Sequence, residues 1–438
     1  VIRRFFQFGL HTNVGALQLF HALRQGSTLL ISILLAQSAL ATDAIGAYEQ
    51  LLFIGYALSF FWLDGLIQSM LTLYPKQGEA ERPAFRFQAY LLFAGLSLLL
   101  WSLLQIGEGR IVPFLTANDS LPYFDLFTAY LALNVPTYLL EHFFQLDQRP
   151  PRIVAFGLLS FVGQLVVVIT PVWLGWDFRW SFLGLLALGA VKHAWLLAYL
   201  FGHARPGWNR KVMQQWLVLA APLIAYALLG GLAQTFDGWL VNYAFEGDRS
   251  QFAIWRYGAR ELPFSLAMVG AFNTAFLPIL SEDRDAGLAQ MKRQSRWLFH
   301  LLFPVTMILL LTSRWWFPWL FSEDFAASVP VFNLFMLIVI SRLIFSRTIL
   351  MALQANTAIL YISGVELLIN IGLSFALVGP MGLAGIALAT VIAFTFEKIM
   401  LIGLLQRRFG LRLGQYADVR LLLVYSLGVL GCYVVSAL

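Results

Sequence analysis

Apolar runs of about twenty residues recur along the whole chain, each closed by a short polar interval. A run of that length exceeds what the core helix of a water-soluble protein needs and matches the thickness of a bilayer. The runs fall near residues 14–39, 46–73, 87–106, 124–143, 153–174, 180–201, 216–240, 251–280, 297–318, 330–350, 359–378, 383–405 and 419–438. This pattern predicts an all-α membrane protein with about thirteen spans. Pro136, Pro222, Pro263, Pro278 and Pro304 lie inside or at the ends of spans, where each removes a backbone donor and can kink its helix.

The polar intervals are short, so no extramembrane catalytic domain is expected and the work must occur within the helices. Their basic residues alternate. Lys76, Arg82, Arg86, Arg149, Arg152, Arg205, Arg210, Lys211, Arg284, Lys292, Arg293, Arg296, Arg407, Arg408 and Arg412 fall in one set of loops, and only Arg110, Arg179, Arg249 and Arg314 in the other. Positive charge near span ends resists translocation, so the N-terminus is expected to be cytoplasmic. The opening Arg3-Arg4 resembles a twin-arginine signal, but the following apolar run is long and lacks a small-residue cleavage site, so it reads as a cytoplasmic end.

Composition agrees: 60% of the residues are hydrophobic, 12% are charged, and the mean hydropathy is +0.75. The net charge of +6 reports topology, and no nucleic-acid partner is expected. Cys432, the single cysteine, excludes a disulfide within the chain. Trp173, Trp176, Trp180, Trp315, Trp316 and Trp319 lie near span ends as an interfacial belt.

Laid on itself about 205 residues apart, the chain aligns the segment from Gly65 to Pro75 with that from Gly270 to Leu280, at equivalent spans. This weak repeat predicts two six-helix lobes in one orientation, residues 1–203 and 212–406, with a site between them near the midplane. Residues 413–438 would add one further C-terminal helix.

Charges inside spans are costly and by default face protein or a wet cavity. Arg24, Lys192, Arg256, Arg260 and Arg342 lie roughly 7 to 18 Å from the nearer end of their spans. Arg256 and Arg260, four residues apart, would share one helix face and hold a pyrophosphate in forked hydrogen bonds. The competing readings are that Arg256 snorkels to the interface, that Arg260 pairs with Glu261 or Asp64, and that Arg24 snorkels beside His21 and Gln25. Lys192, beside His193, is expected to pair with Glu141 or Asp64. Arg347, Glu366, Glu397 and Lys398 are expected closer to the cytoplasmic side as interface or pairing residues. There is no placed general base, no metal-ligand spacing among the six histidines and no phosphate-binding glycine loop, so an enzyme is not expected.

The segment Tyr257-Gly258-Ala259-Arg260-Glu261-Leu262-Pro263, followed by Leu277-Pro278-Ile279-Leu280-Ser281, resembles the eighth span of the multidrug/oligosaccharidyl-lipid/polysaccharide (MOP) exporter superfamily. It is most similar to the lipid-linked saccharide flippases. The Gly46-Ala47-Tyr48 turn after the first span, with Gly65 and Tyr74 in the second, resembles O-antigen and capsule flippases. In the lipid II flippase branch the matching arginine lines a cationic cavity that holds a lipid diphosphate. That resemblance assigns substrate binding to Arg260 with Arg24, joined by Arg256 and Arg342. It also implies a sodium site at Asp237, Asn370 and Thr390, although Ser374 stands where a second carboxylate would be expected. No other cofactor is expected.

The implied function is alternating-access translocation of an isoprenoid diphosphate-linked oligosaccharide to the outer leaflet of a bacterial cytoplasmic membrane. The protein is expected to act as a monomer, with polysaccharide assembly proteins as candidate associates. The rival readings are a cation-coupled multidrug or small-metabolite antiporter and a membrane glycosyl ligase. Cation-coupled drug exporters usually carry an acidic residue in the first span, where this chain has His21 and Arg24, so an anionic cargo fits better.

Overall fold

Within hydrocarbon a backbone N–H or C=O finds no water, which leaves helices and closed barrels as the structures that can span. The computed structural model follows the helical solution; it describes residues 12–437, without the side chains of Ala233 and Gln234. The expected cytoplasmic end at Arg3-Arg4 lies outside the described residues.

The first spans are α1 (Asn13–Ala36), α2 (Thr42–Leu73) and α3 (Arg82–Thr116). Next come α4 (Phe124–Asn134) and α5 (Tyr138–Leu146), separated by a 3-10 turn at Val135–Thr137 that contains Pro136. The ring of Pro136 supplies no N–H, so the α-helical ladder is interrupted there. A π turn, Leu158–Val162, links α6 (Pro150–Gly157) to α7 (Gly163–Trp173). α8 (Arg179–His203) and the long α9 (Arg210–Ala244) follow.

The rest of the chain forms α10 (Arg249–Gly258), α11 (Pro263–Glu282), α12 (Arg284–Phe321), α13 (Val329–Met336), α14 (Ile338–Arg342) and α15 (Ser346–Ala352). It ends with α16 (Asn356–Met381), α17 (Leu383–Phe409), the short α18 (Leu413–Tyr416) and α19 (Val419–Ala437).

Among the described residues, 12 helices are long and apolar enough to cross a membrane. The expected span near 124–143 is helical as well, in the two pieces α4 and α5. Two further expected spans are discontinuous. The one near 251–280 is α10 and α11 with an unwound stretch at 259–262, and the one near 330–350 is divided among α13, α14 and α15. The Gly46-Ala47-Tyr48 segment, expected as a turn, lies inside the first turns of α2. Pro222, Pro278 and Pro304 are inside helices, whereas Pro263 opens α11, where its missing donor costs nothing. Trp173, Trp176, Trp180, Trp315 and Trp319 are exposed, as an interfacial belt requires.

Contacts group the chain up to Thr235, together with Glu246–Ser250, as one compact unit. Phe236–Phe245 and the chain from Gln251 onward form the second. The division between these units falls within α9.

The first unit is built around Trp216, which is fully buried with Phe93, Phe143 and Phe144. Its indole Nε1 donates to the Leu66 carbonyl at 3.1 Å and to Ser69 Oγ at 2.9 Å, so the one polar atom of a large apolar ring is satisfied. In the second unit Tyr257 is fully buried and stacks on Phe325 with ring centroids 4.2 Å apart. The next residue, Gly258, approaches the chain so closely that a Cβ would lie 2.7 Å from the Ser328 carbonyl oxygen. These two residues fix the end of α10.

Candidate functional site

Local chemistry explains the gap between α10 and α11. A residue before proline is pushed out of the α region by the ring. Leu262 accordingly has φ −63° and ψ 120°, and the helix restarts at Pro263. Arg260 therefore lies in unwound backbone, and the expectation that it shares a helix face with Arg256 is overturned. Arg256 stays on α10 and is exposed, while Arg260 is half-buried. The two remain linked, because Arg260 Nε donates to the Arg256 carbonyl at 2.9 Å. The Arg260 guanidinium lies over the Tyr257 ring at 4.9 Å, so a buried aromatic supports it.

α11 begins without a side-chain cap at Leu262. Its first-turn N–H groups and its dipole thus add positive potential beside Arg260. A broken helix with an arginine at the break is suited to hold an anionic oxygen. Arg342, expected to join this set, is itself engaged: Nε donates to Glu261 Oε2 at 2.9 Å and Nη2 to Oε1 at 2.6 Å. Glu261 adjoins Arg260, so the Arg342 fork fixes the unwound segment that carries the arginine.

Elsewhere in the second unit three helices bring Asp237, Asn370 and Thr390 together. Asn370 Nδ2 donates to Asp237 Oδ1 at 3.0 Å and Thr390 Oγ1 to Oδ2 at 2.9 Å. Ser374 Oγ donates to Asn370 Oδ1 at 3.2 Å. All four side chains are buried. Their oxygen atoms are the donor type a hard monovalent cation takes, and Ser374 supplies a neutral oxygen in place of a second charge. The donor set therefore fits sodium, with the condition that Asn370 turn its amide oxygen toward the ion.

In the first unit Arg24 is exposed on α1, and its charge reaches His21, Asp64, Tyr138 and Glu141. Lys192 departs from its expected carboxylate pairing. Its Nζ donates to Asn134 Oδ1 at 2.5 Å and lies over the Phe156 ring at 5.6 Å, with Glu141 in electrostatic reach. Beside it, His193 Nδ1 lies 2.9 Å from the Leu133 carbonyl oxygen, which requires the proton on Nδ1. Nε2 then accepts from the Tyr90 hydroxyl at 3.1 Å.

A family model described as Lipid II flippase MurJ matches residues 180–438, more than half of the chain. The chain belongs to the lipid II flippase MurJ family. It is therefore a transporter of the MOP fold and not an enzyme. Comparison with curated proteins gives no significant match.

Among solved structures the chain is similar to the lipid II flippase MurJ in an inward closed conformation, with 17% identity and a TM-score of 0.73 over 95% of this chain and 92% of that one. It is also similar to a multidrug resistance MATE family transporter in its inward-facing conformation, with 12% identity and a TM-score of 0.68 over 88% and 94%. A MOP superfamily transporter from Pyrococcus furiosus matches with 12% identity and a TM-score of 0.59 over 91% and 95%. At these identities the likenesses establish the fold of a MurJ-family chain.

Two features of this MurJ-family chain escaped the sequence. The Arg342–Glu261 fork joins residues 81 positions apart and left no local trace. Glu366, expected toward the cytoplasmic side as a pairing residue, is buried ten residues into α16, and among the described residues it has no hydrogen bond or ion pair. Its signal was present in the sequence. Glu366, Asn370 and Ser374 repeat every four residues within one apolar span.

Proposed function

We propose that the chain moves an isoprenoid diphosphate-linked saccharide from the cytoplasmic to the outer leaflet by alternating access. The observation that carries this reading is the unwound segment at 259–262, where Arg260 stands beside the uncapped start of α11. A diphosphate would take charge-assisted hydrogen bonds from Arg260 and from the first-turn N–H groups, with Arg256 adding a second positive charge. Arg342 acts through Glu261 as a positioning residue. Arg24, exposed on α1, is a further arginine we assign to substrate binding. The lipid tail stays in the membrane, because extracting it would expose a long apolar chain to water.

Outward movement of anionic charge is favoured by an inside-negative potential by about 2.3 kcal/mol per charge per 100 mV. Asp237, Asn370, Thr390 and Ser374 would hold a sodium ion as the coupling cation, whose positive charge would offset that of the buried Asp237 carboxylate. The setting we infer is a bacterial cytoplasmic membrane with the N-terminus inside, the chain acting as a monomer beside polysaccharide assembly proteins.

Complementation in bacteria depleted of their own lipid II flippase tests the reading. Growth should be restored by the wild-type chain and lost with Arg260→Ala. Arg260→Lys should restore it weakly, since an ammonium keeps the charge but loses the planar fork. Full rescue by both variants would remove the diphosphate site. Drug resistance without rescue would favour the antiporter, and formation of a new glycosidic product would favour the ligase.

A further inference from the structure

The buried residues of α16 are Ile359, Ile362, Glu366, Asn370 and Ser374, spaced three or four apart and therefore on one face. On α17, Thr390 and Glu397 are buried seven residues apart, again on one face. Ser363, at the same register one turn before Glu366, receives a hydrogen bond from Arg347 Nη2 at 2.5 Å. From Ser363 to Ser374 this polar file runs about 16 Å along the helix, roughly half the hydrocarbon thickness.

Every other charged member of the file is accounted for. Asp237 accepts from Asn370 and Thr390. Glu397 Oε1 lies 3.1 Å from Arg347 Nη2, and its Oε2 lies 3.5 Å from Lys398 Nζ. Glu366 is 7% exposed and, among the described residues, takes neither a hydrogen bond nor an ion pair. The charged groups that face it are Glu397 and Lys398 on α17, Arg347 on α15, Asp237 on α9 and Arg342 on α14, the last already paired with Glu261. With Glu366 itself and the Glu261 partner of Arg342, these make four carboxylates against three cations. An ionised carboxylate in that position is strongly disfavoured unless a cation joins it.

We propose that Glu366 is a second station for sodium, one helical turn along α16 from Asn370, and that the ion passes between it and the Asp237 cluster through the second unit. The deficit of one positive charge selects a monovalent ion, and the carboxylate oxygens select a hard one. This inference rests on reading the Asp237 cluster as a sodium site.

The test uses the purified full-length chain in proteoliposomes, with radioactive sodium uptake driven by an inside-negative potential. Wild type should take up sodium, and Glu366→Gln should slow uptake about a hundredfold, as expected when a charge near midspan loses its counter-ion. Glu366→Asp should keep an intermediate rate. In sodium-free choline buffer the Tm of Glu366→Gln should equal or exceed that of wild type, because the glutamate has no partner to lose. Added sodium should still raise the Tm of this variant through the Asp237 cluster.

Unchanged uptake in Glu366→Gln overturns the proposal, as does a lowered sodium-free Tm with normal uptake, which would mark Glu366 as structural. Proton uptake that is indifferent to sodium overturns it too. If wild type neither takes up sodium nor gains Tm from it, the Asp237 reading falls as well. Lipid-diphosphate flipping in the same vesicles separates these outcomes from failure of the flippase reading.

Discussion

Arg342 and Glu261 meet through two parallel hydrogen bonds, one at 2.9 Å and one at 2.6 Å, although 81 residues separate them. Each holds the other in a single geometry, and the immediate beneficiary is Arg260, the next residue along the unwound segment. Arg342→Gln and Glu261→Gln should each lower flipping about tenfold, since a small misplacement of a binding group is enough to cost that much. The pair is partly exposed, so the stability cost should stay near about 1 kcal/mol. Exchanging the two residues should recover a substantial part of the activity. Flipping rates in vesicles decide the matter, and additive losses with no recovery in the exchange variant would mean that the fork does not position Arg260.

Gly46 admits no side chain. A Cβ there would sit 1.8 Å from the Arg249 carbonyl oxygen and 2.4 Å from its carbonyl carbon, so backbone would have to move. The segment Glu246–Ser250 is held against the start of α2 by this approach, by Arg249 Nε donating to Asp43 at 2.9 Å, and by Asn118 Nδ2 donating to the Gly247 carbonyl at 2.9 Å. Gly46→Ala should destabilise the chain by about 1–3 kcal/mol through overpacking. Asp43→Ala should cost less than about 1 kcal/mol, because the ion pair is exposed. Gly403→Ala, on α17 with nothing within 4 Å, should be neutral or stabilising. Thermal unfolding of the three variants in one detergent ranks them, and a Gly46→Ala protein as stable as Gly403→Ala would refute the close approach.

How far the sequence could be read depended on the range of the physics. Span number and order follow from apolar runs about twenty residues long, a signal carried locally, and the helices appear where those runs lie. Continuity was harder. The interruption before Pro263 was written in Gly258 and Pro263, one permitting a close approach and the other excluding Leu262 from the helix, but a hydropathy window averages over both. The partners of Lys192 and Arg342 were not legible, because each lies 58 or more residues away and only packing selects it. Asp237, Asn370 and Thr390 came from family resemblance, and the fold does bring them together. Glu366 and Glu397 are almost equally buried, and only the packed neighbours, which sequence position does not reveal, make one paired and the other not.

Asp418 caps the last helix. Its Oδ1 accepts from the Leu421 N–H at 3.2 Å and its Oδ2 lies 2.8 Å from Arg296 Nη2. The Leu421 N–H, aided by the Arg296 guanidinium, holds the carboxyl below the usual carboxylate range. A carboxyl with a lowered folded pKa stabilises the protein fully above its unfolded pKa, and that contribution is lost as pH falls through the folded value. Asp418→Ala should therefore cost about 1 kcal/mol at neutral pH, as loss of an N-cap does. The deficit relative to wild type should shrink as the medium is acidified below the ordinary carboxylate range, and Asp418→Asn should keep most of the cap. Tm measured across an acid titration checks this, and a deficit that stays constant with pH would contradict it.

Lys192 and Glu141 are both buried, at 7% and 6% exposure, and lie within electrostatic reach of each other without forming an ion pair. The lysine's direct partner is the amide oxygen of Asn134 at 2.5 Å. Removing one buried charge strands the other, whereas removing both leaves a neutral and well-filled site. Lys192→Met and Glu141→Gln should thus each destabilise the first unit, while the double variant should be closer to wild type than the sum of the two. A coupling of about 1–3 kcal/mol is expected for charges that share a buried environment. Asn134→Leu should also destabilise, because it leaves the ammonium without its acceptor. A double-mutant cycle on Tm provides the measurement. Strict additivity would mean that Asn134 alone compensates Lys192 and that Glu141 obtains its compensation from Arg24.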